Sequence, residues 1–383
     1  MQANKVIVKS FFSNPMPKII IIAGTRPEVI KVAPVLLELQ KHRPHIETIF
    51  CCTGQHRELL NGLFDLFGLT VDYNLDLMAA DQTLSEITSR MFSGLDKIIR
   101  KESPDWILAQ GDTATVMTAS VLSYYHRIKF GHIEAGLRTG DLYSPYPEEG
   151  NRIIADAVAH RLWAPTEICR NTLINAGVDQ NKIRVTGNTV VDALKIVAGF
   201  DYDYKNSPIG HFNGEKIVLV TAHRRESFGS GLENICLALK TLSLEFKGMN
   251  FVYPVHLNPN VRAAVNKTIQ GVRNIHLLEP LSYQDFIHLM KKSFLILTDS
   301  GGIQEEAPFF DIPVLVMRNK TERSEGVDAG VSMLVGTDKQ QIIDGASQLI
   351  EDRGLYNTMA KSPSPYGDGK ASTYIVKEIL EDV

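Results

Sequence analysis

Short apolar runs alternate with amphipathic segments along most of the chain. Lys18–Ala23 is an isoleucine-rich run that ends at Gly24, and Ile30–Gln40 carries the hydrophobic period of a helix. The alternation continues through a predicted strand at Ile46–Thr53 and a predicted helix at His56–Phe67. Further strands of this series are predicted at Trp106–Gln110, Lys129–Ile133 and Ile183–Thr186. Strands that alternate with helices and are rich in β-branched residues favour a parallel sheet covered by helices on both faces.

The same pattern restarts after a polar interruption. Residues 201–215 are rich in Gly, Pro, Asn and Asp, which predicts a linker. A second series of strands is predicted at Ile217–Thr221, Phe251–Val255, Phe294–Thr298 and Pro313–Val316. We therefore predict an α/β protein built from two Rossmann-like, doubly wound domains that face a central cleft. Ligands of such sheets bind beyond the carboxyl ends of the strands, so the residues that follow each strand are the ones to search for chemistry.

Composition narrows the class of protein. The chain has 383 residues, of which 44% are apolar and 22% charged, and its net charge is −4. It has no basic excess for nucleic acid or an anionic membrane surface, and no apolar run approaches the ~18 residues of a membrane span. Residues 1–16 lack the apolar core of a signal peptide, so we expect a short N-terminal extension on a cytoplasmic protein. The four cysteines have neither metal-site spacing nor the density of a disulfide framework.

Three acidic residues follow predicted strands of the first domain. Glu134 comes directly after a strand, Asp112 follows another strand after Gly111, and Glu148 precedes a helix predicted from Asn151. Carboxylates that share a cleft suit general acid–base catalysis, because burial and mutual repulsion separate their pKa values. Each of them alone could instead cap a helix or carry a solvated charge.

Basic residues follow other strands. Arg26 and Lys31 lie at the start of the first predicted helix, where they could bind a phosphate or form the solvated charges of an ordinary turn. His223 follows the first strand of the second domain and precedes two arginines, so it could lie beside an anion. His256, in the next loop of this kind, fits a hydrogen-bonded turn better than a catalytic role.

A segment of small residues gives the sharpest local signal. Asp299-Ser300-Gly301-Gly302 joins a strand to a helix, and its small side chains would let backbone N–H groups approach a phosphate. Glu306, one turn into that helix, could accept hydrogen bonds from the hydroxyls of a ribose. The segment matches neither the Walker A nor the GxGxxG pattern, which disfavours an ATPase or a dehydrogenase.

Longer motifs connect these observations. The chain contains, in this order, GTRPEVIKVAP, GQHRELL, QGDTATV, GHIEAGLRTGDLYSPYPEEGNR, TAHRRESFG and LTDSGGIQEEAP. From about Lys18 to its end it closely resembles the non-hydrolysing UDP-N-acetylglucosamine 2-epimerases. The resemblance implies a glycosyltransferase-B-like fold in which residues 17–200 and a C-terminal helix at 370–383 form the first domain. Residues 201–369 would form the second, UDP-binding domain. A homodimer without metal or other cofactor is also implied.

The resemblance further implies a reaction. UDP-N-acetylglucosamine and UDP-N-acetylmannosamine, a precursor of surface polysaccharide, would interconvert by elimination of UDP to 2-acetamidoglucal and re-addition. The expected catalytic residues, whose individual roles stay open, are Asp112, Glu134, Glu148 and His223. The residues expected to bind the UDP-sugar are Arg26, Lys31, Arg138, Phe286, Ser300, Gly301, Gly302 and Glu306.

A second, activating substrate site occurs in many members of the resembled family, and Gln55 and His56 match part of it. Some members carry glutamine and arginine where this chain has Glu58 and Asp81. Two acidic replacements would repel a diphosphate, which argues against substrate activation here.

Alternative functions remain open at this stage. The chain could be a 2-epimerase for a 3-modified UDP-sugar, or a hydrolysing 2-epimerase that releases UDP and free N-acetylmannosamine. It could also be a glycosyltransferase of the same fold, or a UDP-sugar-binding regulator without activity. The three carboxylates and His223 argue against the regulator.

Overall fold

A seven-stranded parallel sheet forms the centre of the first domain in this computed structural model, which describes residues 16–54, 57–79, 82–212 and 215–383. Its strands are β1 (Lys18–Ala23), β2 (Glu47–Cys52), β3 (Tyr73–Asn74), β4 (Trp106–Gln110), β5 (Lys129–Ile133), β6 (Arg161–Ala164) and β7 (Ile183–Val185). They lie in the order β3-β2-β1-β4-β5-β6-β7. The strand order reverses between β1 and β4, which is where a doubly wound sheet binds its ligands.

Helices alternate with these strands along the chain. They are α1 (Arg26–Gln40), α2 (Arg57–Phe67), α3 (Leu84–Glu102), α4 (Ala114–His126), α5 (Glu148–Val158), α6 (Glu167–Asn175) and α7 (Thr189–Ala198). Helix α5 begins at Glu148 rather than at the predicted Asn151, so Glu148 lies in the first turn of a helix and not in the preceding loop.

The start of α1 is fixed by a capping box. The Glu28 carboxylate accepts hydrogen bonds from the backbone N–H groups of Thr25, at 2.6 Å, and Gly24, at 3.0 Å. Its other oxygen accepts from the Thr113 hydroxyl at 2.6 Å. Glu28 is buried, and it therefore ties the turn after β1 to the turn after β4, which carries Asp112.

A six-stranded parallel sheet forms the centre of the second domain. Its strands are β8 (Lys216–Thr221), β9 (Met249–Pro254), β10 (Ile275–Leu278), β11 (Ser293–Thr298), β12 (Val314–Val316) and β13 (Ser332–Leu334), in the order β10-β9-β8-β11-β12-β13. The remaining helices are α8 (Ser230–Glu245), α9 (Pro259–Ile269), α10 (Tyr283–Lys292), α11 (Gly301–Glu306), α12 (Ser324–Asp328), α13 (Lys339–Glu351), α14 (Arg353–Ala360) and α15 (Ala371–Asp382). The predicted architecture of two Rossmann-like α/β domains is confirmed.

The last helix packs on the first domain. Ile375, Val376 and Ile379 of α15 belong to the apolar core that α1 and α7 also line. The Asp192 carboxylate on α7 accepts from the backbone N–H groups of Ala371 and Ser372, and so caps the start of α15. The chain thus crosses between the domains twice. Among the described residues, no helix combines the length and the apolar character needed to span a membrane.

Candidate active site

Two of the predicted carboxylates share a cavity of about 480 Å³ beside the turn that follows β4. Asp112 accepts hydrogen bonds from Arg152 at 2.6 Å and 3.0 Å, and its backbone carbonyl accepts from Asn151 at 2.9 Å. Glu148 lines the same cavity, and its buried Oε2 atom has no hydrogen-bond partner among the described residues. One carboxylate of this pair is therefore held by a cation, whereas the other is available to a ligand.

Glu134 is bound far more tightly. It follows β5 with a φ of 66°, in the left-handed region, and its carboxylate is buried. Lys31 Nζ contacts both of its oxygens, at 2.6 Å and 2.7 Å, while the Asn188 amide donates at 2.9 Å and the Gln110 amide also donates. Burial disfavours the charged form, but the charge and hydrogen bonds of Lys31 outweigh it and hold the pKa of Glu134 below its ordinary value.

This cluster continues across the cleft. Asn188 Nδ2 also donates to Glu305 Oε2 at 2.8 Å, and Glu305 Oε1 accepts from Arg323 Nε at 2.7 Å. A single amide from the first domain thereby joins Glu134 to α11 of the second. None of these three partners was predicted from the sequence. The sequence signals for two of them were the Asn of TGNTVVDAL and the first acidic residue of QEE, and nothing in the sequence pointed to Arg323.

His223 is placed by a buried aspartate at the end of β11. Asp299 Oδ2 accepts from the backbone N–H groups of His223 and Arg224, both at 2.8 Å, and its Oδ1 lies 3.5 Å from His223 Nδ1. Burial lowers the pKa of His223 below its ordinary value despite the opposing charge of Asp299, which favours the neutral form of the ring. His256 stacks on His223 with ring centroids 5.2 Å apart, and its Nδ1 accepts from the Asn258 N–H, the turn role that the sequence favoured.

The small residues before and in α11 lie among cations. A Cβ atom at Gly301 would lie 3.3 Å from the Arg323 guanidinium carbon and 3.5 Å from Arg224 Nη2. Two guanidinium groups from different loops therefore approach the start of the helix, where an anion is favoured. Ser300, immediately before the helix, donates its N–H to the Thr298 hydroxyl at 2.9 Å.

Glu306 is the last residue of α11, and charged residues of the first domain lie close enough to affect its pKa. Burial, and then the neighbouring Glu305, raise its pKa to about 7, while Lys31 and Arg26 partly oppose this shift. Arg26 also lines a second cavity, of about 630 Å³, together with Tyr283 and residues just before α10. Arg26 and Lys31 of the first domain thus lie within electrostatic range of Glu306 in the second.

The other predicted site residues have different surroundings. Phe286 is half-buried and packs against an apolar cluster of the second domain, so a contact with a nucleotide stays a prediction. Arg138 pairs with Asp156 at 2.5 Å, which leaves its substrate contact a prediction as well. Gln55, His56 and Asp81 lie outside the described residues, as does the side chain of Glu58. The expectation about a second substrate site therefore stays untested.

Comparison with known proteins assigns the family. The model of the UDP-N-acetylglucosamine 2-epimerase family matches residues 38–380 of the chain. This protein belongs to that family. Among its 2-epimerase relatives, the UDP-N-acetylglucosamine 2-epimerase of Escherichia coli K12 is 46% identical and aligns over 94% of this chain and 98% of its own length. A probable UDP-N-acetylglucosamine 2-epimerase of Ralstonia nicotianae is 47% identical, over 95% of this chain and 99% of its own length.

Solved structures share this fold over nearly the whole chain. The Neisseria meningitidis enzyme, solved with UDP-N-acetylglucosamine bound, is 45% identical, covers 95% of this chain and 100% of its own, and superimposes with a TM-score of 0.86. S. aureus MnaA, solved with UDP, is 44% identical at the same TM-score, covering 96% of this chain and 97% of its own. The resemblance of the motifs to the 2-epimerase family is therefore confirmed.

Proposed function

We propose that this protein interconverts UDP-N-acetylglucosamine and UDP-N-acetylmannosamine by inversion at C2. The observation that carries the proposal is the cavity shared by Asp112 and Glu148, because it offers two carboxylates to one ligand in a chain of the 2-epimerase family. The names and bound ligands of the relatives supply the substrate class.

The chemistry requires an elimination. The C2 hydrogen of the sugar is barely acidic, because no carbonyl group lies next to that carbon in the ring. When the anomeric C–O bond breaks first, UDP departs with the bonding electrons and an oxocarbenium-like centre develops at C1. Loss of the C2 proton to a carboxylate then gives 2-acetamidoglucal. Protonation of C2 from the opposite face and return of the UDP oxygen to C1 complete the inversion without net consumption of any reactant.

The environments of the three carboxylates support different roles in this sequence. Glu148 has no partner among the described residues and is suited to remove or return the C2 proton, with Asp112 in the same cavity as the second proton carrier. Glu134 is held as an anion by Lys31 and is suited to stabilise the positive charge on the sugar ring.

The second domain would hold UDP through departure and return. Arg224 and Arg323 approach Gly301, and with Arg26 they would bind the diphosphate. The neutral imidazole of His223 can share a proton with the departing phosphate oxygen. Ser300 and Gly302 would contact phosphate, and Glu306 would accept hydrogen bonds from the ribose.

Proton NMR of the protein with UDP-N-acetylglucosamine in D₂O, without added metal or NAD, tests the proposal. We expect new UDP-N-acetylmannosamine signals with deuterium at C2. Accumulation of free UDP with free N-acetylmannosamine would instead identify a hydrolysing 2-epimerase. No change in the sugar signals, with UDP still bound, would contradict the proposal and direct the assay to 3-modified UDP-sugars or to a binding role.

We also propose a cytoplasmic homodimer in which residues 17–200 and 370–383 form one domain and residues 201–369 the other. The four free and buried thiols suit a reducing compartment, and the packing of α15 on α1 and α7 supports the division into domains. Tyr124 and Tyr125 at the end of α4, with Ile153 and Ile154 on the neighbouring α5, expose apolar surface that a second copy could cover. Sedimentation equilibrium measures the assembly directly.

A further inference from the structure

A fully buried histidine lies beneath the turn that carries Asp112. His132 is on β5, and its Nδ1 atom lies 2.5 Å from Asp156 Oδ1. Its Nε2 atom lies 2.7 Å from the backbone carbonyl oxygen of Gly111. Both neighbours are hydrogen-bond acceptors, since a carbonyl has no proton to give and the Asp156 carboxylate is also paired with Arg138 at 2.5 Å.

This arrangement fixes the charge of the ring. A neutral imidazole carries one N–H, so its second nitrogen would present a lone pair to an oxygen lone pair at hydrogen-bond distance. Only the imidazolium form donates to both oxygens. Burial alone would lower the pKa of His132, but the charge of Asp156 and its hydrogen bond raise it above the ordinary value, and burial is likewise outweighed at Asp156, whose pKa is lowered.

The Gly111 carbonyl that His132 contacts belongs to the residue before Asp112. Gly111 has a φ of +87°, and its N–H donates to the Ile133 carbonyl at 3.0 Å. Strand β5 therefore binds both backbone polar groups of Gly111: Ile133 accepts from its N–H, and His132 contacts its carbonyl. The orientation of Asp112 follows from how Gly111 is held.

We propose that His132 is a positioning residue, permanently in its imidazolium form, that orients Asp112 by donating a hydrogen bond to the Gly111 carbonyl. The charged groups that face it are Asp156 on α5 and Arg138 in the loop after β5, while Glu134, two residues further along the chain, is bound to Lys31. The ring also packs against Phe130, which is apolar. The catalytic consequence rests on the proposed epimerase function, whereas the charge of the ring does not.

A pair of neutral substitutions separates the two hydrogen bonds. The amide nitrogen of His132→Gln can take the place of Nε2 and donate to Gly111, whereas that of His132→Asn takes the place of Nδ1 and donates to Asp156. We expect kcat to fall about 100-fold in His132→Asn, the effect of displacing a catalytic group by about 1 Å, and clearly less in His132→Gln. The Kd for UDP should stay within about twofold of wild type in both, because the UDP-binding residues belong to other elements. Equal losses of kcat in the two variants, or a parallel loss of UDP binding, would contradict the positioning role and show that His132 acts only through packing.

The charge is measured without any assay of activity. In ¹⁵N-histidine-labelled wild-type protein at pH 8, we expect one ring with two protonated nitrogens, because an ordinary histidine with a pKa of about 6.5 is neutral there. The absence of that signal in His132→Gln assigns it. A neutral tautomer of His132 at pH 8 would overturn the proposal even in an active enzyme. A doubly protonated ring in an inactive protein would support the proposed charge of His132 and contradict the proposed epimerase function.

Discussion

The two sides of the cleft differ in how their charges are neutralised. On the first domain, Asp112 is paired with Arg152 and Glu134 with Lys31, so these groups are held in place before any ligand arrives. On the second domain, Arg323 is paired with Glu305, but the Arg224 guanidinium beside it has no ion-pair partner among the described residues, and the pKa of Glu306 is raised to about 7. We infer that the first side is preorganised for chemistry on the sugar, whereas the second is completed by the charge of the nucleotide.

Removal of the unpartnered carboxylate should have the largest effect on rate. Glu148→Gln should lower kcat by about 10²–10⁴, the usual contribution of a general acid or base, and should leave the Kd for UDP unchanged. The matched control is Glu167→Gln, because Glu167 occupies the first turn of α6 but is exposed. Steady-state rates and calorimetric UDP titration measure both quantities. Wild-type turnover in Glu148→Gln would remove this residue from the catalytic set.

Loss of the cation beside Glu134 should disturb the preorganised side more broadly. Lys31→Met leaves a buried carboxylate without its counter-charge, which we expect to cost about 3 kcal/mol of unfolding free energy and to raise the pKa of Glu134. The double variant Lys31→Met/Glu134→Gln removes both charges, so it should recover most of that stability but not the activity. Urea denaturation of the four proteins of this cycle gives the coupling free energy. A double variant as unstable as Lys31→Met alone would contradict the assigned ion pair.

On the second domain, we expect a substitution to lower the affinity for UDP more than the catalytic rate. Arg224→Ala should weaken UDP binding about 10- to 100-fold, the loss of one charge-assisted hydrogen bond, with a smaller change in kcat. Lys267→Ala is the control, because Lys267 is an exposed cation of the same domain on α9. If UDP affinity is retained in Arg224→Ala while kcat collapses, the contrast between the two sides of the cleft is wrong.

The smallest predicted effect is a pH dependence at Glu306. Its folded-state pKa of about 7 lies above the ordinary value of 4.5, so its contribution to stability is present at low pH and is lost as pH rises through about 7. Glu306→Gln cannot ionise and should therefore have a higher Tm than wild type at pH 8 but not at pH 4.5. UDP should bind less tightly to this variant at pH 8, because an amide oxygen is a weaker acceptor than a carboxylate. Identical Tm differences at both pH values would refute the raised pKa.

The sequence predicted those features that are local. The longer strands and the Ser300–Gly302 turn are visible because each needs only neighbouring residues. The strands β3, β6, β10 and β13 were not predicted, since their two to four residues include at most one β-branched residue, whereas the equally short β7 and β12 have two each. The polar contacts between distant parts of the chain were also not predicted. Asn188 contacts Glu134 across 54 positions and Glu305 across 117, and no spacing rule connects residues brought together by the packing of two sheets.

The return of α15 to the first domain has a consequence during synthesis. The Asp192 carboxylate receives its hydrogen bonds from a backbone 179 residues further along, and the apolar groove between α1 and α7 is filled by the same helix. Domains usually fold in the order of their translation. The first domain, however, cannot complete its core until residues 371–382 have emerged from the ribosome. During that interval the groove is an exposed apolar surface, and a nascent chain arrested before α15 is the form of this protein that chaperones should bind most strongly.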